Sequence, residues 1–309
     1  MNRNLWKPLL AGSCLLALAV HGGPLQRADV ANDPFWFLHV DMDALKQTTF
    51  GKYVLTEVAK PEAQQKIAAF QAMFKFDPSK DIHGLTLCGN GQMPQDALLI
   101  VYADFDAAHL VTIAGGAKEY KSSEHGTHTI HSWLDDKKPD EPRVYAAIVG
   151  NRVIFGQKES RIADGLDVLD KTKANLTASA QYTQLADVSG ASIIGAARKI
   201  ELSSSDANAE VFKHSKMFML NLGEADGRIN GNIRMDVDSE EMAQQIQSIG
   251  QGLVSLMALQ KDKPDSNKLA QALSLKLEGA TITVKLSIAA EDLVGMAKAK
   301  AASTAAPAN

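Results

Sequence analysis

Three histidines fall close together at His125, His128 and His131, with Glu124 just before them and Trp133 and Asp135 just behind. Imidazole nitrogens ligate zinc and other transition metals, so this segment is the chain's candidate metal site. Strand geometry constrains it. If 126–133 is a strand, His128 and His131 point to opposite faces. His125 and His131 share a parity but would stand about 20 Å apart at ~3.3 Å per residue. A loop around Gly126 could bring His125 to one of the others. The spacing matches no established zinc signature, and a polar strand is the competing reading.

Paired carboxylates recur as Asp41/Asp43, Asp104/Asp106 and Asp236/Asp238. Such pairs could hold a divalent cation on a phosphate-bearing substrate. Each pair also closes an apolar strand and opens a helix, where the second Asp would cap free backbone N–H groups. Capping is the better account. The chain has no Gly-x-Ser-x-Gly elbow, no phosphate-binding Gly-rich loop before Lys-Ser/Thr, no His-Glu-x-x-His and no Cys-x-x-Cys. Gly89-Asn90-Gly91 reads as a turn. Met217, Met219, Met235 and Met242 fall at core periodicity, although an adaptable Met-lined groove for peptide or lipid is the functional alternative. No catalytic residue and no cofactor are assigned.

The elements that must position these residues begin after an export signal. Arg3 and Lys7 precede an apolar run from Leu9 to Val20, and Gly22-Gly23-Pro24 breaks it. The run is shorter than the roughly 20 residues a spanning helix needs, so residues 1–23 read as a cleaved signal rather than an anchor. Small residues at Val20-His21-Gly22 offer one cut, and Ala28 to Ala31 another. Cys14 lies inside the apolar run and is assigned to the discarded signal rather than to a lipid anchor. Cys88 is then the only mature cysteine, which excludes an internal disulfide and reads as a small buried hydrophobe. The formal charge of −4 becomes −6 without Arg3 and Lys7, and no basic block argues for nucleic acid or anionic membranes.

Periodicity supplies the rest. Ile229, Gly231, Ile233, Met235 and Val237 alternate with polar neighbours, as do Ile282, Val284, Leu286 and Ile288; both read as antiparallel strands with one wet face. Met242, Ile246, Ile249, Leu253 and Leu256 step by four and three, the stripe of an amphipathic helix. Residues 49–74 read as helical, with Pro61 opening a second helix. In order, strands are expected at 36–42, 82–88, 97–103, 126–133, 191–199, 217–222, 228–237, 274–278 and 281–288. A hairpin follows the 126–133 strand, and helices fall at 106–115, 159–170, 240–260 and 290–298. This is an α+β chain with mostly antiparallel sheets and helices on one face. The order strand, Asp pair, helix, hairpin with a Gly turn, helix occurs twice, which reads as a tandem duplication with halves at 32–175 and 188–298 and a flexible tail at 299–309. The connector falls in Lys171 to Gly190, and Ser203-Ser204-Ser205-Asp206 is a second loop.

Phe37-Leu38-His39-Val40-Asp41-Met42-Asp43-Ala44-Leu45, followed by Thr48-Thr49-Phe50-Gly51-Lys52-Tyr53-Val54-Leu55, resembles uncharacterised exported bacterial proteins that open with a strand, an Asp-containing turn and a helix of this kind. Val153-Ile154-Phe155-Gly156 with Glu159-Ser160 is similar to the same group. The resemblance implies export and a duplicated α+β body, and transfers no active-site residue. The sequence is therefore expected to encode a non-catalytic binding protein of the bacterial envelope, periplasmic or secreted. It would offer sheet faces or a groove between its halves to a protein, peptide or lipid partner. The rival is a metal-binding protein or metal-dependent hydrolase using His125, His128 or His131 with Glu124 or Asp135. Exposed apolar surface between the halves would favour the first, and a histidine pair converging with a carboxylate in a pocket the second.

Overall fold

The computed structural model describes residues 23–138, 140, 142–182, 190–198, 214–260 and 264–305. Residues 1–22 with Cys14, nearly all of the stretch expected as an export signal, and the stretch Ser203–Asp206 expected as a loop lie outside the described residues. Twelve strands form one antiparallel open sheet in the order β11-β12-β10-β9-β8-β1-β2-β3-β7-β6-β5-β4. The strands are β1 (Trp36–Asp41), β2 (Ile82–Gly89), β3 (Ala97–Ala103), β4 (Lys121–His125), β5 (His128–Leu134) and β6 (Arg143–Val149). Then come β7 (Arg152–Gly156), β8 (Ala191–Arg198), β9 (Ser215–Ala225), β10 (Arg228–Val237), β11 (Leu273–Glu278) and β12 (Thr281–Ala289). The described helices are α1 (Met42–Gln47), α2 (Thr49–Val58), α3 (Pro61–Phe74), α4 (Ala107–Gly115), α5 (Glu159–Leu169), α6 (Glu240–Leu259), α7 (Pro264–Ala272) and α8 (Ala290–Ala305).

The α+β class read from periodicity is the class observed. Pro61 does start its own helix, in the first-turn position where its missing N–H costs nothing. Outward from the β1–β8 junction, the strand orders β1-β2-β3-β7-β6 and β8-β9-β10-β12-β11 match. The correspondence stops at the helices that follow, because α5 and α8 pack on opposite faces. The single strand expected over 126–133 is instead the return arm of the β4–β5 hairpin. Gly126 at φ +61° turns the chain between His125 and His128, a left-handed conformation that suits a residue without Cβ. The capping expectation needs a correction too. Asp41, the first of its pair, caps α1; Asp106, the second, caps α4; and Ser239, not Asp238, caps α6. The last helix runs through Ala305, over much of the stretch expected as a tail.

Strand alternation divides the sheet into two unlike faces. On the back face, Phe37, Cys88, Ile100, Ile154, Ile194 and Met219 form the main core with Ile162 and Leu166 of α5. Burial pushes the Cys88 thiol up to about 11, which fits a packing role rather than a reactive one. On the front face, α6 packs Ala243 and Ile246 against Met235, Val237 and Ile282. Residues of α7 and α8 pack there around Ile229 and Ile288.

The stretch Gly23–Pro34 belongs to this fold. Val30 is fully buried in the main core. The buried His39 donates from Nε2 to the Gly23 carbonyl at 3.0 Å, while its Nδ1 accepts from the Thr86 hydroxyl at 2.9 Å. The buried Asp29 carboxylate accepts from the Tyr102 hydroxyl at 3.0 Å and from Arg152 Nε at 2.7 Å. Burial, with the Asp29 charge behind it, holds the Tyr102 phenol far above its ordinary value, so it remains a donor. Removing one partner of a buried pair strands the other. Asp29→Ala is therefore expected to cost about 3 kcal/mol in urea unfolding, and Asp29→Asn distinctly less. Equal, small losses for both would show that this pair does not hold the segment down.

Candidate apolar binding site

One register row crosses the whole front face. Leu275, Val284, Ile233, Leu220, Gly195, Leu38, Leu87, Leu99, Phe155, Ala146 and His131 are successive cross-strand partners from β11 to β5. Partners directly opposite share a face and stand about 5 Å apart at Cβ, so the row is a nearly unbroken apolar strip. Among the described residues, the helices leave its middle part-exposed. Leu38 is 39% exposed, and Leu87, Leu99 and Leu220 are part-exposed. Exposed apolar surface therefore lies at the junction of the two strand groups.

At the β5 end the strip runs under a roof. Helix α4 and the end of α3 close a cavity of about 210 Å³ over β5, β6 and β7. Leu110, Ala114 and Phe74 form its upper wall, and Trp133, Ile148 and Phe155 its floor. Three histidines, two of them (His109 and His83) outside the expected cluster and one (His131) within it, assemble this end or its surroundings. His109 Nε2 donates to the Met73 carbonyl at 2.8 Å, fastening α4 to the end of α3. His83 donates from Nδ1 to Asp43 at 2.9 Å and from Nε2 to Asp104 at 3.2 Å, tying the strand leading into α4 to the start of α1. Burial opposes charge on His83, but the hydrogen bonds to Asp104 and Asp43 outweigh it, and the imidazole sits above its ordinary pKa. The third, His131, lines the cavity itself.

The expected histidine cluster is split by the sheet. His125 and His128 are direct partners across the hairpin, and both face α5. His125 Nε2 donates to Asp167 at 2.7 Å, and His128 Nε2 to Asp170 at 2.9 Å. These two bonds fasten the hairpin to the last turn of α5. His131 lies on the opposite face, as strand parity requires, with its Nδ1 2.8 Å from the Tyr120 hydroxyl. Glu124 accepts from the Thr129 hydroxyl, and Asp135 accepts from the Lys137 backbone in the turn after β5. Among the described residues, no group of three or more His, Cys, Asp or Glu is arranged to hold a metal ion.

A second apolar surface lies on α6. Ile249, Leu253, Leu256 and Leu259 are each more than half exposed, because the apolar arc of this helix is wider than the sheet beneath it covers. No described helix is long and apolar enough to cross a membrane.

No protein-family pattern matches this chain, and no curated protein does. Among solved structures, crystal form III of TP0453 is similar at 9% identity, with a TM-score of 0.51 over 88% of this chain and 97% of that one. Crystal form I of TP0453 gives 8% identity and a TM-score of 0.49 over 89% and 97%. The likeness to form III is one of fold alone.

The His83 bridge makes the roof sensitive to pH with a definite sign. A folded-state pKa above the unfolded value of about 6.5 gives stability that is complete below that value and lost as pH rises through the folded one. The stability gap between wild type and His83→Gln, from urea melts, should shrink between pH 6 and pH 8.5. A gap that stays constant over that range would rule out the charged bridge.

Proposed function

We propose that the protein is an exported, non-catalytic binding protein of the cell envelope, and that it binds a lipid-like ligand on the front face of the sheet. The observation that carries this is the apolar strip running from the open junction at Leu38 into the roofed cavity at Phe155 and Trp133. Burying apolar area is worth ~25 cal/mol per Å², so an elongated apolar molecule gains along the strip without needing a deep pocket. An engineered cavity of about 150 Å³ in another protein holds one benzene ring. A cavity of about 210 Å³ therefore takes one end of such a molecule, with the remainder on the strip. The metal-centred alternative lacks this support, because His125 and His128 are each engaged by an α5 carboxylate while His131 stands across the sheet.

On this reading the export segment expected over 1–23 is shortened by one residue or more, to end at or before Gly22, because the Gly23 carbonyl accepts from the buried His39. The other cut weighed from sequence, at Ala28 to Ala31, would discard Gly23 and Asp29 with their buried bonds. Intact mass of the protein from its own host should place the mature start no later than Gly23. A start at or beyond Asn32 would exclude the fold described for this stretch.

The binding reading is tested with N-phenyl-1-naphthylamine, an apolar dye that fluoresces when desolvated. Wild type should bind it. Ala114→Trp, which puts a large ring into the cavity wall, should weaken binding at least tenfold with an unchanged melting temperature. Unaffected binding in Ala114→Trp, with loss in Leu253→Gln/Leu256→Gln, would move the site to α6 and overturn the reading.

A further inference from the structure

The cavity is apolar except at two residues. His131 and Trp133, through its indole N–H, are the side chains with polar groups among the residues that line it, and neither Lys nor Arg does. Its ring stacks beside Tyr120, with centroids 6.0 Å apart, and Nδ1 meets the Tyr120 hydroxyl at 2.8 Å. A phenol is a better donor than a neutral imidazole N–H, and an imidazole nitrogen is a better acceptor than a phenol oxygen. Tyr120 therefore donates to Nδ1, and that bond fixes the hydrogen on Nε2. Nε2 itself has no protein partner among the described residues. It is also absent from the polar atoms sealed off without one, so it stays accessible on a side chain that lines the cavity. The cavity thus presents uncharged donors and no cation in an otherwise apolar wall, with His131 Nε2 the imidazole donor among them.

From this we infer that the ligand carries a single uncharged carbonyl, as an acyl ester does, which accepts from His131 Nε2 while its chain lies on the strip. This rests on the binding reading above and narrows its ligand class. A free carboxylate would enter an apolar cavity without a cation to meet it, which is costly. Burial pushes the His131 pKa below its ordinary value despite the Glu124 charge, so the imidazole does not supply that cation at neutral pH. A hydrocarbon without an acceptor would leave Nε2 unpaired once water is displaced, which is also unfavourable.

Tyr120 is then a positioning residue, because it touches no ligand and acts through the tautomer of His131. The experiment is displacement of N-phenyl-1-naphthylamine at pH 8 by methyl laurate, laurate and dodecane, on wild type, His131→Phe and His131→Gln. A net hydrogen bond predicts that methyl laurate binds about three- to tenfold more tightly than dodecane in wild type. His131→Phe should erase that preference, and His131→Gln, which keeps a donor, should retain part of it. Laurate should compete less well than its methyl ester. Equal affinity for ester and dodecane, a preference that survives in His131→Phe, or a preference for laurate would each overturn the assignment. These outcomes require the dye to bind. A wild type that binds no dye would sink the binding reading itself, which keeps the two failures distinct.

Discussion

The antiparallel ladder between β1 and β8 is the interaction on which the rest of this architecture depends. Trp36 to Val40 pair in register with Ala197 back to Ile193, and this fuses two groups of strands into one sheet. Without it each group would expose a long unpaired strand of backbone donors and acceptors. Gly195 leaves room in the ladder for Leu38. A Cβ there would lie 3.2 Å from Leu38 Cδ1 and 3.3 Å from the Phe37 carbonyl, so glycine lets Leu38 lie over the junction. The same ladder aligns the register rows of the two groups, and only then do their separate apolar residues become one strip.

A single sheet this wide has two faces to satisfy, and the chain treats them differently. Around β1 to β7 the back face is buried under α5 and the Gly23–Pro34 segment, with the Asp29–Tyr102–Arg152 cluster inside. Farther out, the back face of β10 carries Arg228, Asn230, Asn232 and Arg234, which suit water and need no cover. The front face is apolar from β11 to β7. The described helices leave its central register row part-exposed between α4 at one end and α6 to α8 at the other, with α1 against β1, β2 and β8. The chain thus leaves apolar surface open where packing alone would have called for another helix. That uneven cover, more than any reactive group, distinguishes the molecule.

Much of the fold was legible because strands and helices announce themselves by period. Ala97–Ala103 was found to the residue, and β10 likewise, since Ile229 to Val237 alternate cleanly. Strand β4 was missed because Lys121-Ser122-Ser123-Glu124-His125 has no apolar residue to set a period; it is held by pairing with β5 and by bonds to α5. Helix α7 is short, with only Leu269 and a few alanines to bury, so its pattern was too weak to read. Parity alone placed His131 opposite His128. The cavity around His131 could not be read, because its walls come from α3, α4 and three strands whose adjacency is set by pairing. The charged bridge at His83 was invisible for the same reason, its two Asp partners being far away in sequence.

The open apolar face raises a question of self-association, and the sheet edges answer part of it. The outermost strands offer polar borders: Lys121, Ser122, Ser123 and Glu124 on β4, and Ser274, Lys276 and Glu278 on β11. Charged and hydroxyl side chains on an edge discourage strand addition by a second sheet. Growth of the sheet edge to edge is thereby disfavoured, while the front face keeps its apolar character. Nonspecific aggregation would use both features together, a sticky face and an extendable edge. Here only the face is sticky, and its middle lies between the helices packed toward the two ends. Such a surface suits an elongated molecule narrow enough to lie along the register row better than it suits a broad protein partner. The geometry of the row and the polarity of the edges thus bear on the same point, the binding of a slender apolar molecule proposed above.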